Sequence, residues 1–197
     1  MSSIDVFPVT AERWTDLERL FGPQGASGGC WCMWWRLSAS EFRLNKGDGN
    51  RAGLRAIVEA GREPGLIAYR DGQPAGWCSV APRPEFVRLE KSRTLKPVDD
   101  QPVWSVTCFF IGRGHRRSGV ATALLQAAAS HARARGARIL EGYPDDPRAG
   151  RLPDAFAWRG LVSMFRAAGF EEVARRSPGR PIMRKDLDGS EAPRTHP

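Results

Sequence analysis

The chain has 197 residues, 41% of them apolar, enough to bury one core of ordinary size, and 30 basic against 22 acidic side chains give a net charge of +8. No run approaches the roughly 18 uninterrupted apolar residues that a membrane-spanning helix needs, and Met1 to Asp5 lacks a charged-then-apolar secretion signal, so no membrane segment and a cytoplasmic location are expected. Four sparse cysteines, Cys30, Cys32, Cys78 and Cys108, argue against a disulfide framework.

In chain order, Thr10 followed by Trp14, Leu17, Leu20 and Phe21 predicts a helix over Thr10–Phe21, stopped by Gly22-Pro23. A small-residue loop then runs into the aromatic cluster Trp31, Trp34 and Trp35, and a second helix is predicted over Asn50–Ala60. Leu66–Arg70 and Ala75–Val80 read as strands, and Asp71-Gly72 between them supplies the positive-φ residues of a tight turn, so they form a hairpin. Pro82–Pro97 is a charged loop with room for a helical turn. Val103–Ile111 is the most apolar strand and is expected at the centre of the sheet. After a glycine-rich loop, Val120, Leu124, Ala128 and His131 mark a helix ended by Gly136. Ile139–Tyr143 reads as a strand, Asp145–Trp158 as a loop, Gly160–Ala168 as a short helix closed by Gly169, and Phe170–Arg175 with Ile182–Leu187 as a last strand pair. The reading is one α/β domain over residues 1–187 with a disordered tail over 188–197.

The positive charge is concentrated. Gln101 to Leu140 holds no acid, while Arg113, Arg116, Arg117, Arg133, Arg135 and Arg138 fall within it. That concentration favours a phosphate-bearing ligand held at one place over a nucleic acid, although a solvated basic helix face would look the same. Strand, glycine-rich basic loop and helix in succession make an anion site, because the first-turn N–H groups of the helix point outward with the positive end of its dipole. A dinucleotide loop is excluded by the lack of Gly-x-Gly-x-x-Gly, and a nucleoside-triphosphate loop by the lack of Gly-Lys-Ser/Thr.

Arg116-Arg117-Ser118-Gly119-Val120-Ala121 fits Gln/Arg-x-x-Gly-x-Gly/Ala and resembles the pyrophosphate-binding loop of the GCN5-related N-acetyltransferase (GNAT) family. The order of elements from Ile4 to Leu187 resembles that family too. The resemblance implies a mixed, mostly antiparallel central sheet flanked by helices, with acetyl-CoA as acyl donor. Its pantetheine arm would lie along the main chain of Phe109, Phe110 and Ile111. Its pyrophosphate would meet Arg113, Arg116, Arg117, Ser118, Gly119, Val120 and Ala121.

The chain departs from the family in two places. The tyrosine that many members carry four residues before the glycine of Gly-Phe is Phe165 here, and the glutamate that histone-acetylating relatives carry on the central strand aligns with Ser105. Strand alternation puts Glu141 and Tyr143 on one face, beside the cofactor strand, as a substitute base and acid; a salt bridge and ordinary packing are the alternatives. Trp31, Trp34 and Trp35 are candidates for the acceptor pocket, where aromatic walls orient an amine, or else for the core. Cys30-x-Cys32 has no second ligand pair at zinc spacing, so no metal is expected.

The expected activity is transfer of an acetyl group from acetyl-CoA to a primary amine, by direct attack in a ternary complex. A small-molecule acceptor is the first expectation. A protein or aminoacyl-tRNA acceptor, or a non-catalytic acyl-CoA-binding module, are the alternatives, and a homodimer is compatible with the reading.

Overall fold

The computed structural model describes residues 3–147 and 158–188. Seven strands, β1 (Ile4–Pro8), β2 (Gly65–Arg70), β3 (Gln73–Pro82), β4 (Trp104–Ile111), β5 (Ile139–Gly142), β6 (Glu171–Ala174) and β7 (Ile182–Asp186), form one sheet in the order β1-β2-β3-β4-β5-β7-β6. All adjacent pairs are antiparallel except β4 with β5. The mixed, mostly antiparallel α/β architecture expected from the sequence is the one observed. The β2–β3 hairpin turns as predicted: Arg70 pairs with Gln73, and Asp71 and Gly72 have φ of 49° and 74°.

Helix α5 (Val120–Ala134) crosses one face of the sheet. Its Val120, Leu124, Leu125, Ala128 and Ala132 form a core with Leu66, Ala68, Cys78, Val106 and Leu140. Gly76 on β3 permits the close approach, because a Cβ there would lie 2.6 Å from Val120 Cγ1. The short helix α6 (Val162–Ala167) joins this face through Val162 and Phe165. The other face is covered by α1 (Trp14–Phe21) and α3 (Asp48–Glu59), which bury Trp14, Leu17, Phe21, Leu54 and Val58 against Ile67, Trp77 and Cys108. Covering both faces explains why the inner strands read as apolar runs and not as alternating ones.

Some boundaries differ from those predicted. Thr10 opens a 3₁₀ turn, Ala11–Arg13, and the regular helix begins only at Trp14; the Thr10 side chain caps nothing. Helix α2 (Ala39–Leu44) and strand β1 were not predicted. β5 ends at Gly142, so Tyr143 lies just past it. Between β3 and β4 stand a 3₁₀ turn, Arg83–Glu85, and a short helix, α4 (Val87–Glu90). All of the expected tail but Asp188 lies outside the described residues, as does most of the Asp145–Trp158 loop.

Candidate active site

The site begins where two strands part. β4 pairs with β3 along its whole length to Ile111, but with β5 only from Trp104–Val106 against Leu140–Gly142. Beyond Val106 and Gly142 the β5-facing edge of β4 has no strand partner among the described residues, and a fork opens. Two local features make it. Thr107 is an extra residue on β4, since Ser79 pairs with Cys108 and Val80 with Val106, and such a bulge bends and twists its strand. Phe165 then fills the α5 side of the fork: a Cβ on Gly142 would lie 2.1 Å from its Cε1, and Phe109 meets its ring edge-on at 6.3 Å.

The chain leaving β4 leads to an anion-binding geometry. Gly112 donates its N–H to Ala75 O at 2.9 Å, a 3₁₀ turn spans Arg113–His115, and Ser118 Oγ donates to His115 O at 2.6 Å. Arg117 and Gly119 both take left-handed φ, 59° and 84°. Gly119 is the N-cap of α5 and has no side chain to cap it, so the first-turn amides of this 15-residue helix lack an intrahelical acceptor and face outward. The space is open, the nearest atom to a Cβ placed on Gly119 being Ile4 Cδ1 at 3.9 Å. Arg113, Arg116 and Arg117 are exposed around it. Phe109 is buried toward α5, Phe110 packs on the opposite face 5.6 Å from Phe21, and Ile111 is half-buried, so what these β4 residues turn to the fork is main chain.

Glu141 and Tyr143 do come together. Tyr143 donates its hydroxyl to Glu141 Oε1 at 2.6 Å, and both are buried. Their surroundings were not foreseen: Arg83 Nη1 donates to Glu141 Oε1 at 2.9 Å and to Tyr143 Oη at 2.7 Å, while Arg184 Nε donates to Glu141 Oε2 at 2.8 Å. Ser105, the position of the relatives' glutamate, lies 2.9 Å from the Tyr143 hydroxyl. Arg83 is held in turn by Glu90 and by the carbonyls of Leu89 and Leu95, and Arg184 by Asp99. Burial, then the Glu141 carboxylate, raises the Tyr143 pKa well above the ordinary phenol value. Both oxygens of Glu141 are engaged, and the hydroxyl turns toward Ser105 and Glu141, on the paired side of the fork.

Residues 31–155, more than half of the chain, match the profile of the acetyltransferase (GNAT) family. The chain belongs to that family. It is therefore an acyl-CoA-dependent N-acetyltransferase by descent. No curated protein matches it. Among solved structures, YncA of Salmonella typhimurium, determined with its cofactor acetyl-CoA, is 14% identical, with 98% of this chain and 99% of that one covered at a TM-score of 0.54. The PaiA N-acetyltransferase of Thermoplasma acidophilum, in complex with coenzyme A, is 13% identical, with 93% and 99% covered and a TM-score of 0.53. A ribosomal-protein-alanine N-acetyltransferase of Brucella melitensis is 19% identical, with 92% and 99% covered and a TM-score of 0.53. At these identities the likeness is one of fold.

In this GNAT chain the three tryptophans do not share one wall. Trp31 is buried, stacked on Trp14 at 6.1 Å and edge-on to Phe21, and its remaining edge borders a cleft of about 280 Å³ with Glu18, Gln24 and Arg51. Trp34 is 39% exposed, but Arg88 already sits 3.8 Å above its ring and Phe42 meets it edge-on, so a cationic acceptor would compete with a resident guanidinium. Trp35 is buried in a third cluster with Phe86, Tyr143 and Ile182, and Trp158 packs on it at 6.1 Å. Of the three, Trp35 is the one in the same cluster as Tyr143, at the fork. Among the described residues no group of three or more histidine, cysteine or acidic side chains is arranged to hold a metal. No helix there is long and apolar enough to cross a membrane.

Proposed function

We propose that the protein transfers an acetyl group from acetyl-CoA to a primary amine of a small molecule, in one step within a ternary complex. The observation that carries this reading is the fork itself: a main-chain edge on β4 that no strand pairs among the described residues leads directly to the arginine-rimmed N-terminus of α5, whose N-cap is a glycine. A pantetheine arm can pair with that edge as an added strand would, and a pyrophosphate can accept from the amides of Ser118 to Ala121 without a side chain at Gly119 in the way. The YncA and PaiA structures, bound to acetyl-CoA and coenzyme A, support the choice of donor.

The amine would approach from the face opposite α5, attack the thioester carbonyl and expel the CoA thiolate, which takes up a proton as the amine loses one. Phe165 brings no hydroxyl to the fork, and the groups expected as base and acid are committed to one another. We therefore assign the Arg83–Glu141–Tyr143–Ser105 network to positioning: it fixes the paired ends of β4 and β5, from which the fork opens, and does not shuttle the proton. The amine would then lose its proton to solvent, and the rate would rise with the fraction of free amine. The test is acetyl-CoA-dependent release of free thiol across small amines, lysine peptides and peptides with an N-terminal alanine. Release with small amines alone supports the reading; release confined to peptides overturns the small-molecule acceptor, and none with any amine overturns the enzyme.

A further inference from the structure

Arg180 stands in the turn between β6 and β7, just before Ile182. Its side chain is only 30% exposed, and its Nε lies 4.0 Å from Asp145 Oδ1, beyond hydrogen-bond distance. That carboxylate is already gripped by Arg159, from Nε at 3.0 Å and Nη2 at 2.6 Å. One carboxylate thus serves two guanidinium groups, and Arg180 Nε is a buried donor with no hydrogen-bond partner among the described residues. Burial, and then Arg159, lowers the Arg180 pKa, with Asp145 opposing.

A second unpartnered buried donor, the indole Nε1 of Trp35, belongs to the same neighbourhood. Trp35, Tyr143 and Ile182 share one cluster, Trp158 packs on Trp35, and Arg159 lies 4.4 Å over the Trp158 ring. Asp145 itself follows Gly142, where the fork opens, and donates its N–H to Gly160 O at 2.9 Å. A partly buried cation beside another cation, sharing one carboxylate at 4.0 Å and with no side-chain hydrogen bond among the described residues, gains little to offset its desolvation. A planar or tetrahedral oxyanion is the partner such a guanidinium fits best.

We propose that Arg180, beside the Asp145–Arg159 pair that adjoins Trp158 and through it Trp35, binds an anionic group, a carboxylate or a phosphate, carried by the amine acceptor. The word acceptor rests on the reading of the chain as an amine acetyltransferase, whereas anion binding can be measured without turnover. With the protein saturated by CoA, so that the pyrophosphate loop is filled, phenylacetate, phenyl phosphate and the neutral phenylacetamide are titrated calorimetrically into wild type and Arg180→Gln. One of the two anions should bind at least tenfold tighter than phenylacetamide, and which one does separates carboxylate from phosphate. In Arg180→Gln that preference should vanish while CoA affinity holds and the melting temperature stays level or rises. In turnover, with kcat/KM referred to the concentration of free amine, phenylalanine should surpass phenylalaninamide, or phosphoethanolamine surpass ethanolamine, at least tenfold. Equal binding of anion and amide by wild type, an unchanged preference in the variant, or faster turnover, per free amine, of the amines without the anionic group would overturn the proposal. Arg180-dependent anion binding with no amine acetylated would uphold the anion site and remove the acetyl-transfer reading instead.

Discussion

Gly119 offers the sharpest separation between backbone strain and ligand binding. Its φ of 84° lies where side chains are rarely found, so any replacement strains the loop by about 1–2 kcal/mol, yet a Cβ there has nothing nearer than 3.9 Å. Gly119→Ala therefore isolates the strain. Gly119→Glu adds a carboxylate at the mouth of the first-turn amides, where two unit charges about 4 Å apart interact by about 1 kcal/mol in water and about 4 kcal/mol at an effective dielectric of 20. Relative to Gly119→Ala, the glutamate variant should bind CoA roughly 5- to 1000-fold more weakly by calorimetry, while the melting temperatures of the two variants agree within a few degrees. The difference should shrink as ionic strength rises, because the site is at the surface. Equal CoA affinity in the two variants, with both folded, would refute the placement of the pyrophosphate.

Glu141→Gln leaves Arg83 and Arg184 without their shared carboxylate and should cost about 3–5 kcal/mol of stability in denaturant titrations. Turnover per folded molecule should then fall less than tenfold; a loss of about 10²–10⁴-fold at unchanged stability would restore Glu141 as the base. Tyr143→Phe strands Ser105 and one Arg83 donor and should cost about 1–3 kcal/mol with a similarly small effect on turnover. Gly142→Ala drives a methyl into Phe165 and should destabilise by about 1–3 kcal/mol, a loss that Phe165→Leu recovers in part if the clash is the cause. His131 is buried with its pKa lowered by desolvation, and its Nδ1 faces Arg135 Nη1 at 3.0 Å, so the folded state favours the neutral ring. As pH falls below about 6.5 the unfolded state takes the proton first, and stability should drop by at most about 1.4 kcal/mol per pH unit down to the folded-state pKa. His131→Gln should flatten that slope in pH-dependent unfolding.

Most of the frame could be read from local chemistry. Asp71-Gly72 dictated a hairpin, and Gly119 followed by the Val120–Leu124–Ala128 stripe marked the start of α5. The signal for α2 was also present, as a capping box in which Glu41 N–H donates to Ser38 Oγ and Ser38 N–H donates to Glu41 Oε2, but six residues without a strong apolar stripe hid it. β1 contains Asp5 and Pro8 and is half-exposed, so it reads as coil until it pairs with β2. The fork is a tertiary fact: nothing in the spacing of β4 says how far β5 will run beside it. The same holds for the partners of Glu141, since Arg83 and Arg184 lie 58 and 43 residues away along the chain. Alternation placed Glu141 beside Tyr143 correctly and could not show that both would already be engaged. Adjacency in sequence could not show that the three tryptophans part, Trp31 to the cluster under α1 and α3, Trp35 to that of Tyr143, and Trp34 to the surface.

An open edge in the middle of a sheet is a defect that a second molecule can mend. If CoA completes β4, folding and binding share one equilibrium, and a CoA concentration one hundred times its dissociation constant adds about 2.7 kcal/mol to the folded state. For a chain of this size that is roughly 5–11 °C in melting temperature. The lifetime of the protein would then follow the supply of its own donor and product, long when acetyl-CoA or CoA is plentiful and short when both are scarce.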